Sequence, residues 1–293
     1  MIKIKSAELI NKNYTIKIAS REEIDIAVEW AAQEGWNPGL FDADSYYSCD
    51  PEGFLVGYLG DEAIASISVV KYGQTFGFLG FYIVKPEYRG QGYGFKIWQA
   101  GLEHLNGRNI GLDGVVEQQR NYKKSGFALA YRNIRYQLIP MGNRRSQQNS
   151  EIIELSVLPF KIIEAYDKPF FPDNRSAFLN AWINQKQSIA LGIVKDEKLC
   201  GYGVIRPCRN GYKIGPLFAD KPAYADELFQ ALLASVKIGQ AVYLDIPELN
   251  QAALNLVKKH NMDIVFETAR MYCQKQPELP LERLYGVTSF ELG

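Results

Sequence analysis

The 293-residue chain is poor in residues that staple or ligate. It has four cysteines (Cys49, Cys200, Cys208 and Cys273), far apart and without a CxxC pair, and two histidines, His104 and His260. That scarcity excludes a disulfide framework and a cysteine-based zinc site, and points to reduced thiols in a cytoplasmic protein without bound metal. Net charge is missing too, since Lys+Arg and Asp+Glu each total 33. A nucleic-acid partner would ask for a basic excess. Long apolar runs are absent: the longest, "FGFLGFYIV", falls far short of the roughly 20 residues that span a bilayer. The opening "MIKIKSAELINKNY" has no apolar core of the signal-peptide kind. A protein without nucleic-acid or membrane partners is the expectation.

What is present is core-forming: 47% of residues are hydrophobic, with 18 Tyr, 15 Phe and 4 Trp. That suffices for one large core or two ordinary ones, and the aromatics suit a deep, apolar ligand cleft. The polar, aperiodic stretch "MGNRRSQQNS" (141–150) reads as a linker between units 1–140 and 151–275, with a tail (276–293) expected on the surface. In the first unit "YTIKIA" alternates as a strand. "SREEIDIAVEWAAQEG" is a helix with Ser20 as N-cap and Glu23 three residues on, the spacing of a capping box. "GFLVGYLGDEAIASISVVKYG" is a hairpin turning near Gly60-Asp61, and "TFGFLGFYIV" a central strand. A helix to about His104, the strand "NIGLDGVV", the short helix "QQRNYKKSG" and the strand "FALAYRNIRYQLI" complete it. From "SIALGIVKDEKLCGYGVIRP" onward the second unit repeats this order, and two copies of one α+β unit is the simplest account.

The stretch "YIVKPEYRGQGYGFKIWQAGL" (82–102) passes from strand to helix through three glycines in five residues. Helix N-termini present unpaired N–H groups and partial positive charge, and glycines let an anion reach them. A Rossmann fingerprint fails because its third glycine would fall on Phe95, and a Walker loop fails because no Lys-Ser/Thr follows. What remains is Arg89-x-x-Gly92-x-Gly94.

With Val84-x-Pro86 before it and "LDG…NYKKSGF" after it, this loop resembles the R/Q-x-x-G-x-G/A signature of GCN5-related N-acetyltransferases. The likeness covers residues 14–139. Over nearly the whole chain the sequence is similar to two-domain bacterial acetyltransferases of the YitH type, whose C-terminal half is degenerate. The resemblance implies tandem α+β domains, each a mixed, mostly antiparallel twisted sheet flanked by helices. It implies an enzyme that transfers an acetyl group from acetyl-CoA to a primary amine of a small molecule or amino-acid-like substrate. A non-catalytic acyl-CoA sensor is the alternative that the same loop would serve. The loop Arg89, Gly90, Gln91, Gly92, Tyr93 and Gly94 would hold the pyrophosphate. A bulge at Ile83 and Val84 would turn backbone N–H groups toward the thioester. Tyr122 would protonate the leaving sulfur, as a phenol that stays protonated at neutral pH can.

The amine must be neutral to attack, and no acid lies on "TFGFLGFYIV", where many family members keep a glutamate. Val115 stands where the family often has asparagine. Glu34, Asp42, Asp44 and Glu117 are the base candidates, each weighed against a solvated surface charge, with an ordered-water route beside them. Trp36, in the turn "GWNPG", could wall the acceptor pocket, and Arg206 and Arg209 could bind an anionic group of the acceptor. Cys49 has no histidine near it in sequence, so it is not read as a nucleophile, and both histidines are read as helix-end residues. In the second unit "DKPAYADELF" replaces the glycine loop and Val257 replaces the tyrosine, although Asn250 is kept. The expectation there is a fold without a cofactor site.

Overall fold

The computed structural model describes residues 13–140 and 151–293, so the expected linker lies outside the described residues. The first half runs β1 (Tyr14–Ile18), α1 (Arg21–Gln33), α2 (Asp42–Cys49), β2 (Phe54–Leu59), β3 (Glu62–Tyr72), β4 (Phe76–Val84), α3 (Tyr93–His104), β5 (Asn109–Val115), α4 (Gln119–Lys124) and β6 (Ala128–Leu138). The second runs β7 (Ile152–Glu154), α5 (Phe160–Asp167), α6 (Ser176–Ile183), β8 (Ile189–Lys195), β9 (Lys198–Pro207), β10 (Tyr212–Ala219), α7 (Pro222–Leu233), β11 (Val242–Pro247), α8 (Gln251–Lys259) and β12 (Asp263–Tyr272), followed by β13 (Leu284–Gly286). Element for element the halves repeat.

Local signals act where they stand. Ser20 caps α1 by accepting from the Glu23 N–H, and the Glu23 carboxylate accepts from the Ser20 N–H, so the box is closed. The helices α2, α5 and α6 are elements that the sequence reading did not assign. None of them has a side-chain cap hydrogen bond, so no capping signature marks their starts. They form because they pack: Tyr46 of α2 lies 6.0 Å from Trp182 of α6, ring on ring. Among the described residues no helix is long and apolar enough to cross a membrane.

Each half was expected to own its sheet. Instead all thirteen strands join in one sheet, in the order β1-β2-β3-β4-β5-β12-β6-β11-β10-β9-β8-β7, with β13 on β10. The last strand of each half lies against the other half: β12 runs antiparallel to β5, and β6 antiparallel to β11. Reversing the order and exchanging each strand for its counterpart leaves the sheet unchanged, so the halves are related by a pseudo-twofold axis between β12 and β6.

Two buried ion pairs lock this exchange. Arg270 on β12 grips Asp113 on β5 through Nε at 3.0 Å and Nη2 at 2.5 Å. Arg135 on β6 grips Asp245 on β11 through Nε at 2.7 Å and Nη2 at 2.8 Å. Burial disfavours the Arg270 cation, but the Asp113 charge beside it wins and raises its pKa well above the ordinary value. Breaking one partner of such a pair costs roughly 3–5 kcal/mol. Each arginine finds its carboxylate only on the opposite half, which makes the pairs a register for the exchange.

The tail lies on the surface only as far as Arg283. Leu284, Tyr285, Val287, Phe290 and Leu292 are all buried. It is drawn in because it completes two unfinished places, one in each half.

Candidate active site

The only parallel ladders among the described strands are β4–β5 and β10–β11, and both are short. The first runs from Phe76↔Asn109 to Leu79↔Leu112 and stops. Beyond it β4 bulges. Gly80 opposes Ser68 and Ile83 opposes Ser66, so Phe81 and Tyr82 together face one residue of β3. Phe81 takes φ 45°, and Ser66 Oγ donates to its carbonyl at 2.9 Å. A bulge of this kind bends the strand and leaves backbone groups unpaired. The strands splay, and a cleft of about 500 Å³ opens between residues 79–84 and 112–115. Ile83 and Val84 line it, but the bulge itself sits at Phe81–Tyr82, just before them.

At one end of the cleft stands the glycine loop. Gly90 (φ 74°) and Gly92 (φ 87°) are both left-handed, the region L side chains avoid. Gly92 is the N-cap of α3 and offers no side chain to its first turn. The first α3 bond near this end is Lys96 N–H to Gly92 O at 3.3 Å, so the N–H groups of Tyr93, Gly94 and Phe95 precede the helical ladder. Gly90, Gly92, Gly94 and Phe95 line the cleft. A methyl on Gly94 would stand 2.8 Å from Tyr82 Oη, so the helix start can approach β4 only without a side chain. Arg89 braces the loop by donating from Nε to Val84 O at 2.8 Å, and its Nη2 pairs with Glu34. Gln91 instead donates to Glu87 O, and the Tyr93 ring packs on Tyr14; neither side chain faces the cleft.

Tyr122 reaches the cleft from α4, stacked on Trp98 at 5.4 Å. Its ring fits because residue 114 is glycine: a methyl there would lie 2.2 Å from Tyr122 Cε2. Burial raises the phenol pKa well above its usual value, so the proton is retained at neutral pH. Among the described residues its hydroxyl has no hydrogen-bond partner, which leaves it free for a ligand.

The remaining candidates separate cleanly. Trp36 lines the cleft, fixed by Arg135 Nη1 donating to its carbonyl at 2.8 Å. Glu34 lines it beside the loop, committed to Arg89. Asp44 points elsewhere, paired with Arg21 at 2.6 Å, and Glu117 is exposed outside the lining. Arg209 is a surface residue bound to Glu29 at 2.5 Å. Arg206 and Asp42 are corrections. Neither is solvated and neither touches the cleft: both are 0% exposed and bound to each other at 2.8 Å. Arg206 therefore has no access to an acceptor. Burial would raise the Asp42 pKa, but the Arg206 charge outweighs it and holds the carboxyl below its usual value. Burial pushes the Cys49 thiol up to about 12, which suits no nucleophile. His260 bonds Asp226 at 2.6 Å on the far half.

The lining residues from the second half escaped sequence reasoning: Phe266 and Thr268 from β12, and Phe290 and Glu291 from the tail. The tail crosses β4 where its ladder with β5 ends. A methyl on Gly80 would stand 2.1 Å from Glu291 O, and Ser68 Oγ and Tyr72 Oη donate to the carbonyls of Glu291 and Leu292 at 3.5 and 2.9 Å. The glycine that permits this approach was the available signal, but nothing local says what approaches it.

The second half shows what becomes of the same seam without a loop. The β10–β11 ladder runs only from Tyr212↔Val242 to Ile214↔Leu244. Where it parts, β13 fills the gap, pairing Leu217↔Gly286 and Phe218↔Leu284. Asn250, kept from the family pattern, donates to Leu284 O at 2.9 Å and so holds the plug. Among the described residues no cluster of His, Cys, Asp and Glu could hold a metal ion.

Comparison with known proteins agrees with this geometry. Residues 21–127 match the family described as "Acetyltransferase (GNAT) family", and residues 163–286 match "Acetyltransferase (GNAT) domain". The chain is 34% identical over 283 residues to the holothin acyltransferase of Pseudoalteromonas sp. (strain SANK 73390), spanning 97% of this chain and 96% of that one. A crystal structure from Pyrococcus horikoshii described as that of an acetyltransferase superposes with a TM-score of 0.81 at 24% identity, covering 98% of each chain. A tandem GNAT protein from the clavulanic acid biosynthesis pathway shares the fold at 10% identity, with a TM-score of 0.60 over 90% of this chain and all of that one. The bulged strand, the glycine loop and the repeat thus belong to one lineage: this chain is a tandem-domain acyltransferase of the GNAT family.

Proposed function

We propose that the chain transfers an acetyl group from acetyl-CoA to the primary amine of a small molecule, by direct attack on the thioester in the first-half cleft. The observation that carries this reading is the opened β4–β5 seam, with the glycine loop at one end and Tyr122 on its wall. The residues present fit a pyrophosphate: Gly90 has open space where a Cβ would be, and the N–H groups of the α3 start are uncapped. No intact loop of this kind exists in the second half, where β13 occupies the seam, so one coenzyme per chain is the reading. The relative named as an acyltransferase supports acyl transfer; acetyl as the group and an amine as its acceptor are our own inference.

Chemically, the loop N–H groups would neutralise phosphate charge, and the freed backbone at the Phe81–Tyr82 bulge would face the carbonyl oxygen. Tyr122 would give its proton to the departing sulfur. Direct attack leaves no acyl-enzyme, in keeping with the inert Cys49. Tyr122→Phe keeps the ring on Trp98 and removes only the donor. Turnover should fall by about a hundredfold or more, with CoA affinity from calorimetry changed little. Unchanged turnover with chemistry rate-limiting would return Tyr122 to a packing role.

A further inference from the structure

The cleft contains one carboxylate that nothing so far has used. Its charged lining residues are Glu34, Arg89, Asp113 and Glu291. Glu34 and Arg89 bind each other. Asp113 is saturated: Oδ1 accepts from Asn133, Thr268 and Arg270, and Oδ2 from Arg270. Glu291, 3% exposed, accepts one hydrogen bond among the described residues, from Tyr46 Oη at 3.3 Å. Of the cations whose charge reaches it, Arg206 is bound to Asp42 and Arg135 to Asp245, and the buried Lys213 acts on Glu291 without a direct ion pair among the described residues. The walls near Glu291 are aromatic: Trp36, Phe81, Phe266 and Phe290. No unpaired cation lines this end to receive a carboxylate or a phosphate.

We propose that Glu291 is the acceptor site's anchor and base, holding the ammonium group of a primary alkylamine that bears an aromatic ring and no anionic group, and taking its proton. This rests on the acetyl-transfer reading and narrows its acceptor. Freeing an alkyl ammonium of its proton at neutral pH costs roughly 4–5 kcal/mol when its pKa is near that of lysine, and a carboxylate at contact distance supplies the acceptor for that proton. The balance is simple. The ammonium gives one proton to Glu291, which passes it to solvent. The neutral nitrogen forms the C–N bond as the C–S bond breaks, and it sheds a second proton. The sulfur leaves with its electron pair and receives a proton from Tyr122, which the nitrogen's second proton restores. Amide, free thiol and one released proton result.

The position also explains the tail. Ser289 Oγ accepts from the N–H groups of Glu291 and Leu292 at 3.1 and 3.0 Å, so a tight turn fixes the direction of the Glu291 side chain. Phe290, on the same turn, faces the Arg135 guanidinium at 4.8 Å. A carboxylate held this way feels the charges of Arg135, Arg206 and Lys213 but makes no direct ion pair among the described residues, so its oxygens stay open to an incoming ammonium.

The test uses the full chain with CoA bound and the probes benzylamine, tryptamine and phenylacetate. The wild type should bind both amines and show no binding of phenylacetate in calorimetry. Glu291→Gln should keep its CoA affinity, lose amine affinity by roughly tenfold or more, and lower kcat/KM for acetyl-CoA-dependent acylation of benzylamine by about a hundredfold. Glu291→Asp should fall between the two. Equal amine binding and turnover in Glu291→Gln would overturn the proposal, as would wild-type preference for phenylacetate or failure to bind either amine. The wild-type comparison stands even if the variants do not fold. A chain that binds no CoA would instead overturn the function proposed above, so the two failures are distinct.

Discussion

Arg206→Ala is expected to lower stability by about 3–5 kcal/mol, because it strands a buried carboxylate. Asp42, fully buried, takes Arg206 Nε at 2.8 Å and Nη2 at 3.3 Å, the Gly39 N–H at 2.8 Å and Gln185 Nε2 at 3.1 Å. The guanidinium also lies over the Trp182 ring at 4.2 Å. Removing the arginine leaves neutral donors around an uncompensated charge and opens a hole under the indole. At roughly 2–4 °C per kcal/mol, melting should drop by about 6–20 °C, read by calorimetry. KM for the amine should be unchanged wherever the variant is still folded. An unshifted melting temperature with a raised amine KM would restore a substrate role to Arg206. The sign with pH follows from Asp42: its folded pKa is depressed, so its contribution is present above about pH 4 and is lost as pH falls through the folded value.

Gly92→Asp should abolish CoA binding while leaving the fold intact. Gly92 sits at φ 87° and ψ −6° as the N-cap of α3. Aspartate visits that region more readily than most side chains and can accept from the first N–H groups of the helix, which offsets part of the strain of a side chain there. That is what makes the substitution informative: the new carboxylate would satisfy the N–H groups itself and repel phosphate. Losing one or two charge-assisted hydrogen bonds, affinity should fall by roughly a hundredfold or more in calorimetry. Retained affinity with a folded chain would show that CoA is not held by this loop.

Much of the glycine-loop end of the cleft could be read from sequence because its determinants are local. Ser20 and Glu23, the glycine spacing 90-92-94 and Tyr122 each act within a turn or two of chain. The end lined by the tail could not, because its determinants are topological. Which strand lies beside β5 is not encoded in the periodicity of either β6 or β12. A clue existed in the charges of central strands: Asp113 and Asp245 stand at equivalent places in the two halves, as do Arg135 and Arg270. Four buried charges at repeated positions announce two pairs, but not whether each pair stays within its half. Glu291 was hidden for a similar reason. The tail has no periodicity, and its value comes from the gaps at Gly80 and at the β10–β11 seam that it fills.

The reciprocal placement of β6 and β12 is the arrangement that two identical subunits reach when they trade terminal segments, here written into a single polypeptide. In such a dimer assembly would depend on protein concentration; joined covalently, the partner is always present at the high local concentration set by the tether. The consequence is obligate partnership. Neither half can complete its sheet alone: a free first half would bare the sides of β5 and β6 that β12 covers, and unpaired edges of that kind template aggregation. Selection can therefore let the second seam close over with its own tail, yet cannot discard the half that carries it.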